Sequence, residues 1–174
     1  MAKKSEKQVQ LDEIKVLDAL EQHSKDSIDE IAKHSGFSRQ KVSRIIKNLE
    51  KNKIIWGYTA ITDGELRDFK HYILLVKRNT IPFEASFKKE IIFEKLDAYA
   101  PDSVKIENIF FTHGSFDVVL TFYAVDLVHA KKFIQIAFKK LEKYIGDYLL
   151  LETLVPIRKQ GLKNPQIKKL IEYI

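Results

Sequence analysis

Between Arg39 and Lys53 the chain strings together side chains suited to a polyanion: Arg39, Lys41, Arg44, Lys47, Lys51 and Lys53 stand against one acid, Glu50. Lysine and arginine attract a phosphate backbone whatever its sequence, whereas base edges in the major groove require shorter or bidentate donors. Gln40, Ser43 and Arg44 are best placed for that second task, since arginine forks onto guanine and glutamine onto adenine. Ser38, Arg39, Gln40, Ser43, Arg44 and Lys47 form the candidate DNA-contacting set. The chemistry is recognition, not bond-making.

The remaining reactive residue types give little to build a catalyst from. His71, His113 and His129 stand alone in the sequence, with no Ser/His/Asp array, no metal-ligand spacing and no Gly-rich phosphate loop around them. The absence of cysteine excludes disulfides, thiolate zinc sites and thiol chemistry. No cofactor and no metal are expected.

The elements that must position the basic stretch can be read from residue types. Ser27 and Glu30 have capping-box spacing, so a helix is expected from Ile28 to His34. Ala32 is small enough for a second helix to approach, Gly36 permits a left-handed turn, and Ser38 is a good N-cap for a helix from Arg39 to about Lys53. In that second helix Val42, Ile45, Ile46 and Leu49 fall on one stripe, with the polar candidates opposite. This is the pattern of a helix-turn-helix. Ser35 sits at a position that is usually apolar, and must face out or hydrogen-bond to nearby backbone.

A support helix is expected from Leu11, with Leu11, Ile14, Leu17 and Leu20 inward and Asp12, Glu13, Asp18 and Glu21 on its other sides. Residues 1–10 read as a polar tail. After the basic helix, residues 53–61 change to β-branched and aromatic types around Gly57, which suggests a strand–turn–strand wing with Trp56 and Tyr58 packed on the helices. The first domain therefore spans 1–62 and a linker 63–70.

From His71 to the C-terminus the order changes to strand (Tyr72–Val76), helix (from Pro82, with Phe83, Phe87, Ile91 and Leu96 inward), strand (Val104–Thr112) and strand (Asp117–Tyr123). A helix (Leu127–Tyr144) and a strand (Asp147–Pro156) complete it, before a short helix from Pro165 to Ile174. That order is the ferredoxin-like βαββαβ arrangement, so the fold class is α+β: a winged helix-turn-helix followed by a ferredoxin-like domain. Such a sheet leaves one apolar face open, and a second copy of the chain is expected to cover it. The net charge of +6 agrees with a polyanionic partner. No run reaches the ~18–20 apolar residues that span a bilayer and the N-terminus lacks a signal-peptide core, so no membrane partner and a cytoplasmic location are expected.

These residues resemble the Lrp/AsnC (feast/famine) family of transcription regulators along nearly the whole chain. Leu11-Asp12, Ile31-Ala32 before Gly36-Phe37-Ser38, and Arg44-Ile45 through Leu49-Glu50 to Ile54-Ile55-Trp56-Gly57-Tyr58 are similar to its DNA-binding half. Gly114-Ser115-Phe116-Asp117 with Val118-Val119-Leu120, and Thr153-Leu154-Val155, are similar to its regulatory half. The resemblance implies a non-enzymatic, sequence-specific regulator of double-stranded DNA that forms homodimers and, from these, tetramers or octamers. It further implies that an amino acid or similar effector binds near Gly114, Ser115 and Asp117. Two other readings share the shape: an effector-independent architectural DNA-binding protein, and a relative of haem-pathway decarboxylases.

Overall fold

The computed structural model describes residues 5–62, 68–85, 99–170 and 172, with the side chain of Lys140 left aside. The chain divides into two compact units, residues 1–60 and 61–174.

The described residues of the first unit hold three helices, α1 (Glu6–His23), α2 (Ile28–Ser35) and α3 (Arg39–Lys51). α1 begins well before Leu11, because Ser5 accepts a hydrogen bond from the Gln8 amide and caps it. The polar residues from 6 to 10 are thus its first turns, not a tail. Its buried residues are Asp12, Val16 and Ala19, with Leu17 and Leu20 partly covered. Leu11 and Ile14 are instead about half exposed, and Asp12 faces inward rather than outward. Ile31, Ala32, Val42, Ile45 and Leu49 complete this core. Truncating Leu49, which is fully buried, to alanine would cost about 2–5 kcal/mol.

The wing does not form a ladder. Residues 54–62 carry no strand, and Trp56 is 94% exposed rather than packed on the helices. Strand propensity is realised only when a partner strand supplies the hydrogen bonds. Tyr58 is also exposed, its hydroxyl donating to Glu50 Oε1 at 3.1 Å.

In the second unit, β1 (Lys70–Arg78), β2 (Val104–Phe111), β3 (Val118–Ala124) and β4 (Ile145–Glu152) form one sheet in the order β2-β3-β1-β4. Every pairing is antiparallel, as the ferredoxin-like arrangement requires. Tyr72, Leu74 and Val76 of β1 and Leu120, Phe122 and Ala124 of β3 are buried with Ala130, Phe133, Ile134 and Ala137 of α4 (Leu127–Leu141). The Phe122 ring meets Tyr72 at 5.6 Å between centroids and Phe133 at 5.1 Å, joining sheet to helix. The helix expected from Pro82 lies, beyond Ala85, outside the described residues.

Period-2 alternation turns the other side chains of these strands to the opposite face. Phe110, Val119, Leu75 and Leu149 form one row across all four strands, and Leu151, Ile73 and Thr121 lie in the next. Phe110, Leu149 and Leu151 are 52%, 46% and 42% exposed, so this face is apolar and open.

β4 ends at Glu152, short of the expected Pro156, and a small hairpin, β5 (Arg158–Lys159) with β6 (Leu162–Lys163), follows. Gln160 and Gly161 both have positive φ at its turn, the conformation that two-residue hairpins favour. The last described helix, α5, covers only Ile167–Leu170. No helix among the described residues is long and apolar enough to cross a membrane.

Candidate nucleic-acid interface

Local chemistry fixes the angle between α2 and α3 at three points. At the start of α2, Ser27 N–H and Oγ each donate to Glu30 Oε2 at 2.8 Å, while Ser27 Oγ accepts from the Glu30 amide. These bonds hold the Glu30 carboxyl below its ordinary range, and the charge sits favourably at a helix N-terminus. At the end of α2, Gly36 adopts φ 71 and the Phe37 amide bonds back to the Ala32 carbonyl at 3.0 Å. Ser35 is buried, and its hydroxyl donates to the Ile31 carbonyl at 2.8 Å. The polar side chain at this usually apolar position is therefore satisfied by its own helix.

Ser38 caps α3, its Oγ accepting from the Lys41 amide at 3.4 Å. With Val42, Ile45 and Leu49 buried, the helix must turn its other side outward. Gln40, Arg44 and Lys47 are exposed there, and none makes a hydrogen bond or ion pair with another described residue. Ser43 lies beside them, half-buried. Arg39 reaches Asp29 Oδ2 at 3.4 Å, an exposed pair that is easily exchanged for a phosphate.

Lys41 departs from the basic set. Its Nζ lies 2.8 Å from Asp12 Oδ2 and 3.2 Å from the Phe37 ring centroid, which pins α3 to α1. Asp12 also accepts from Gln8 Nε2 at 3.2 Å. Sequence reasoning placed Asp12 on an outer side of its helix and counted Lys41 among the cations of the basic stretch; an acid on one helix and a lysine about 30 residues on carry no local signal of their pairing.

The second candidate group lies at the β2–β3 hairpin, within the second unit. Gly114 and Ser115 are exposed at its tip, and among the described residues, its chain neighbours aside, no atom stands within 4 Å of where a Cβ on Gly114 would sit. Asp117 anchors the loop: its Oδ2 accepts from the Arg78 amide at 2.8 Å, its own amide donates to the Val76 carbonyl, and its carbonyl accepts from Thr112. One carboxylate oxygen is thus engaged within the fold.

Each histidine of the second unit that an enzymatic reading would need has partners of its own or lies in a loop. His71 bridges Thr153 Oγ1 at 2.6 Å and Glu107 Oε2 at 3.1 Å, while His129 caps with Asp126 at 2.7 Å and His113 is exposed. Burial raises the Glu107 carboxyl, but hydrogen bonds from Thr121, His71 and Tyr123 prevail and leave it below its ordinary range. Tyr72, buried beside Glu152, is pushed up to about 12.

Comparison with known proteins agrees with this geometry. The family described as "Winged helix-turn-helix DNA-binding" matches residues 12–55. The leucine-responsive regulatory protein of Haemophilus influenzae is 28% identical over 132 residues, 76% of each chain. Among solved structures, an AsnC family transcriptional regulator from Agrobacterium tumefaciens aligns with TM-score 0.65 and 20% identity, covering 90% of this chain and 97% of that one. LrpC of Bacillus subtilis aligns with TM-score 0.60 and 19% identity over 91% and 99%. The transcriptional regulator NMB0573 of Neisseria meningitidis, solved with L-Met, gives 0.62 and 17% over 91% and 97%. At these identities the structures speak for the fold, and the matched family speaks for residues 12–55. Taken together, the capped helix-turn-helix, the β2-β3-β1-β4 sheet and these comparisons make the chain similar to regulators of the Lrp/AsnC type, with a winged helix-turn-helix DNA-binding domain over residues 12–55.

Proposed function

We propose that the chain is a sequence-specific, double-stranded DNA-binding transcription regulator of the cytoplasm that docks α3 in the major groove. The observation that carries this is the outward face of α3, where Gln40, Arg44 and Lys47 stand exposed with no partner among the described residues. Arg44 and Gln40 read base edges, Ser43 supports them, and Lys47 and Arg39 bind phosphates. The Ser38 hydroxyl is committed to its cap, so Ser38 contributes by orienting the helix.

A second copy of the chain covers the open sheet face, where Phe110, Leu149 and Leu151 leave an apolar patch that a monomer would expose to water. Two docked helices then read a pseudo-palindromic site. An amino-acid effector binds at the hairpin of Gly114, Ser115 and Asp117; support comes from the open approach to the Gly114 backbone and from the related regulator solved with L-Met. A second reading, an architectural protein without an effector, is favoured by the engagement of Asp117 Oδ2 with the Arg78 amide.

Footprinting of the full-length protein on genomic DNA, repeated across a panel of amino acids, tests both. Discrete protected sites that shift with one amino acid support an effector-responsive regulator. Discrete sites indifferent to the panel support the second reading, and no protection above that of random duplex would contradict both.

A further inference from the structure

His23 closes α1, Asp26 lies in the turn after it, and His34 stands near the end of α2. Their spacing in sequence is uninformative, since two helices must come together before the three side chains meet. In the structure one ligand atom from each lies within 4.8 Å of the other two. His34 Nε2 is 3.2 Å and His23 Nδ1 3.7 Å from the same oxygen, Asp26 Oδ2. In a tetrahedral site with bonds of ~2.0–2.1 Å to nitrogen and oxygen, neighbouring ligand atoms stand about 3.3 Å apart. Two edges of such a tetrahedron are thus already close to the required length, and the third, no longer than 4.8 Å, closes as the imidazoles turn toward the ion.

The imidazoles stack at 4.0 Å between centroids with 3° between planes, so binding one ion in the plane of both rings requires them to tilt toward each other out of this stack. All three side chains are between one third and about two fifths exposed, so an ion can enter without the helices opening. A depression lined by Asp18, Gln22, His23 and His34 opens beside them, with room for water at a fourth position. Two imidazoles and a carboxylate suit a borderline divalent cation such as Zn²⁺ or Co²⁺, whereas Mg²⁺ and Ca²⁺ demand an oxygen-rich shell.

We propose that His23, Asp26 and His34 bind one divalent transition-metal ion, which ties the C-terminal end of α1 to that of α2. Neither the matched family description nor any related protein's name points to such a site. It holds or fails independently of the reading of α3, because metal binding is measured without DNA.

The test uses the full-length protein stripped with a chelator and titrated with Zn²⁺ and, separately, Co²⁺. One equivalent should bind, Co²⁺ should show visible absorption of a tetrahedral site, and thermal stability should rise with Zn²⁺ concentration. His34→Ala should weaken Zn²⁺ binding about tenfold or more and abolish the Co²⁺ bands. Asp26→Asn, which keeps the side-chain shape, should weaken it in the same direction, while His129→Ala should leave it unchanged. Equal affinity in wild type and both site variants, no binding in the wild type, or loss on His129→Ala alone would overturn the proposal.

Discussion

Arg44 and Lys41 show how two cations in one turn of helix take different roles. Arg44 is exposed with no partner among the described residues, so its guanidinium is available to a base edge. Arg44→Ala should cost about 1–3 kcal/mol on the preferred site and relax the preference at one base pair, as competition among duplexes with single-pair changes would show. Lys41 points inward to Asp12 and Phe37. Lys41→Ala should therefore lower the stability of the first unit by about 1–3 kcal/mol in denaturant titration. The salt dependence of DNA binding should stay as it was. If Lys41→Ala flattened the salt slope and spared stability, the inward placement would be wrong.

At the scale of elements, helix ends explain what the sequence could and could not reveal. The α2–α3 turn was legible because each requirement belongs to one residue type: hydroxyl caps at Ser27 and Ser38, a glycine at a left-handed position, a small residue at Ala32. The end of α3 was less so, because Lys53 occupies a left-handed φ of 58 that its residue type does not announce. The Lys53 amide bonds to Glu50 and the Ile54 amide to Leu49, so a local C-terminal cap of the helix holds a lysine in the conformation usually given to glycine. Lys53→Gly should stabilise the first unit by roughly 1 kcal/mol, read as a higher midpoint in urea. The strand–turn–strand expected within residues 53–61 does not form, because alternating β-branched and aromatic residues report strand propensity and not the presence of a partner strand. The Asp12–Lys41 pair, the Gln160-Gly161 hairpin and the His23–Asp26–His34 cluster were missed for a related reason: in each, the meaning of a residue depends on what folding brings beside it. In the sheet the strands were legible from alternation, but the Glu107 network was not. Because Glu107 is held below its ordinary range, its contribution to stability is present above the unfolded carboxylate value of 4.5 and is lost as pH falls through its folded value. The second unit should lose stability on acidification below that point, and Glu107→Gln should blunt the loss in pH-dependent unfolding.

For the whole molecule, two unsatisfied surfaces of opposite character decide what the protein does. The outer face of α3 is cationic and polar, suited to a nucleic acid; the open sheet face is apolar, suited to another protein surface. A single copy exposes both. Replacing Leu149 or Phe110 with lysine would put like charges face to face in a sheet-to-sheet dimer. Such variants should sediment as monomers and bind DNA without cooperativity, whereas a wild type that sediments as a monomer would remove the dimer from the account. The most direct measurement is the affinity of the full-length protein for a footprinted duplex, followed across salt concentration, for wild type and Lys47→Ala. If α3 lies against the phosphates, the variant should bind all duplexes more weakly and lose about one from the slope of log affinity against log salt. An unchanged slope and unchanged affinity would place the DNA elsewhere on the molecule.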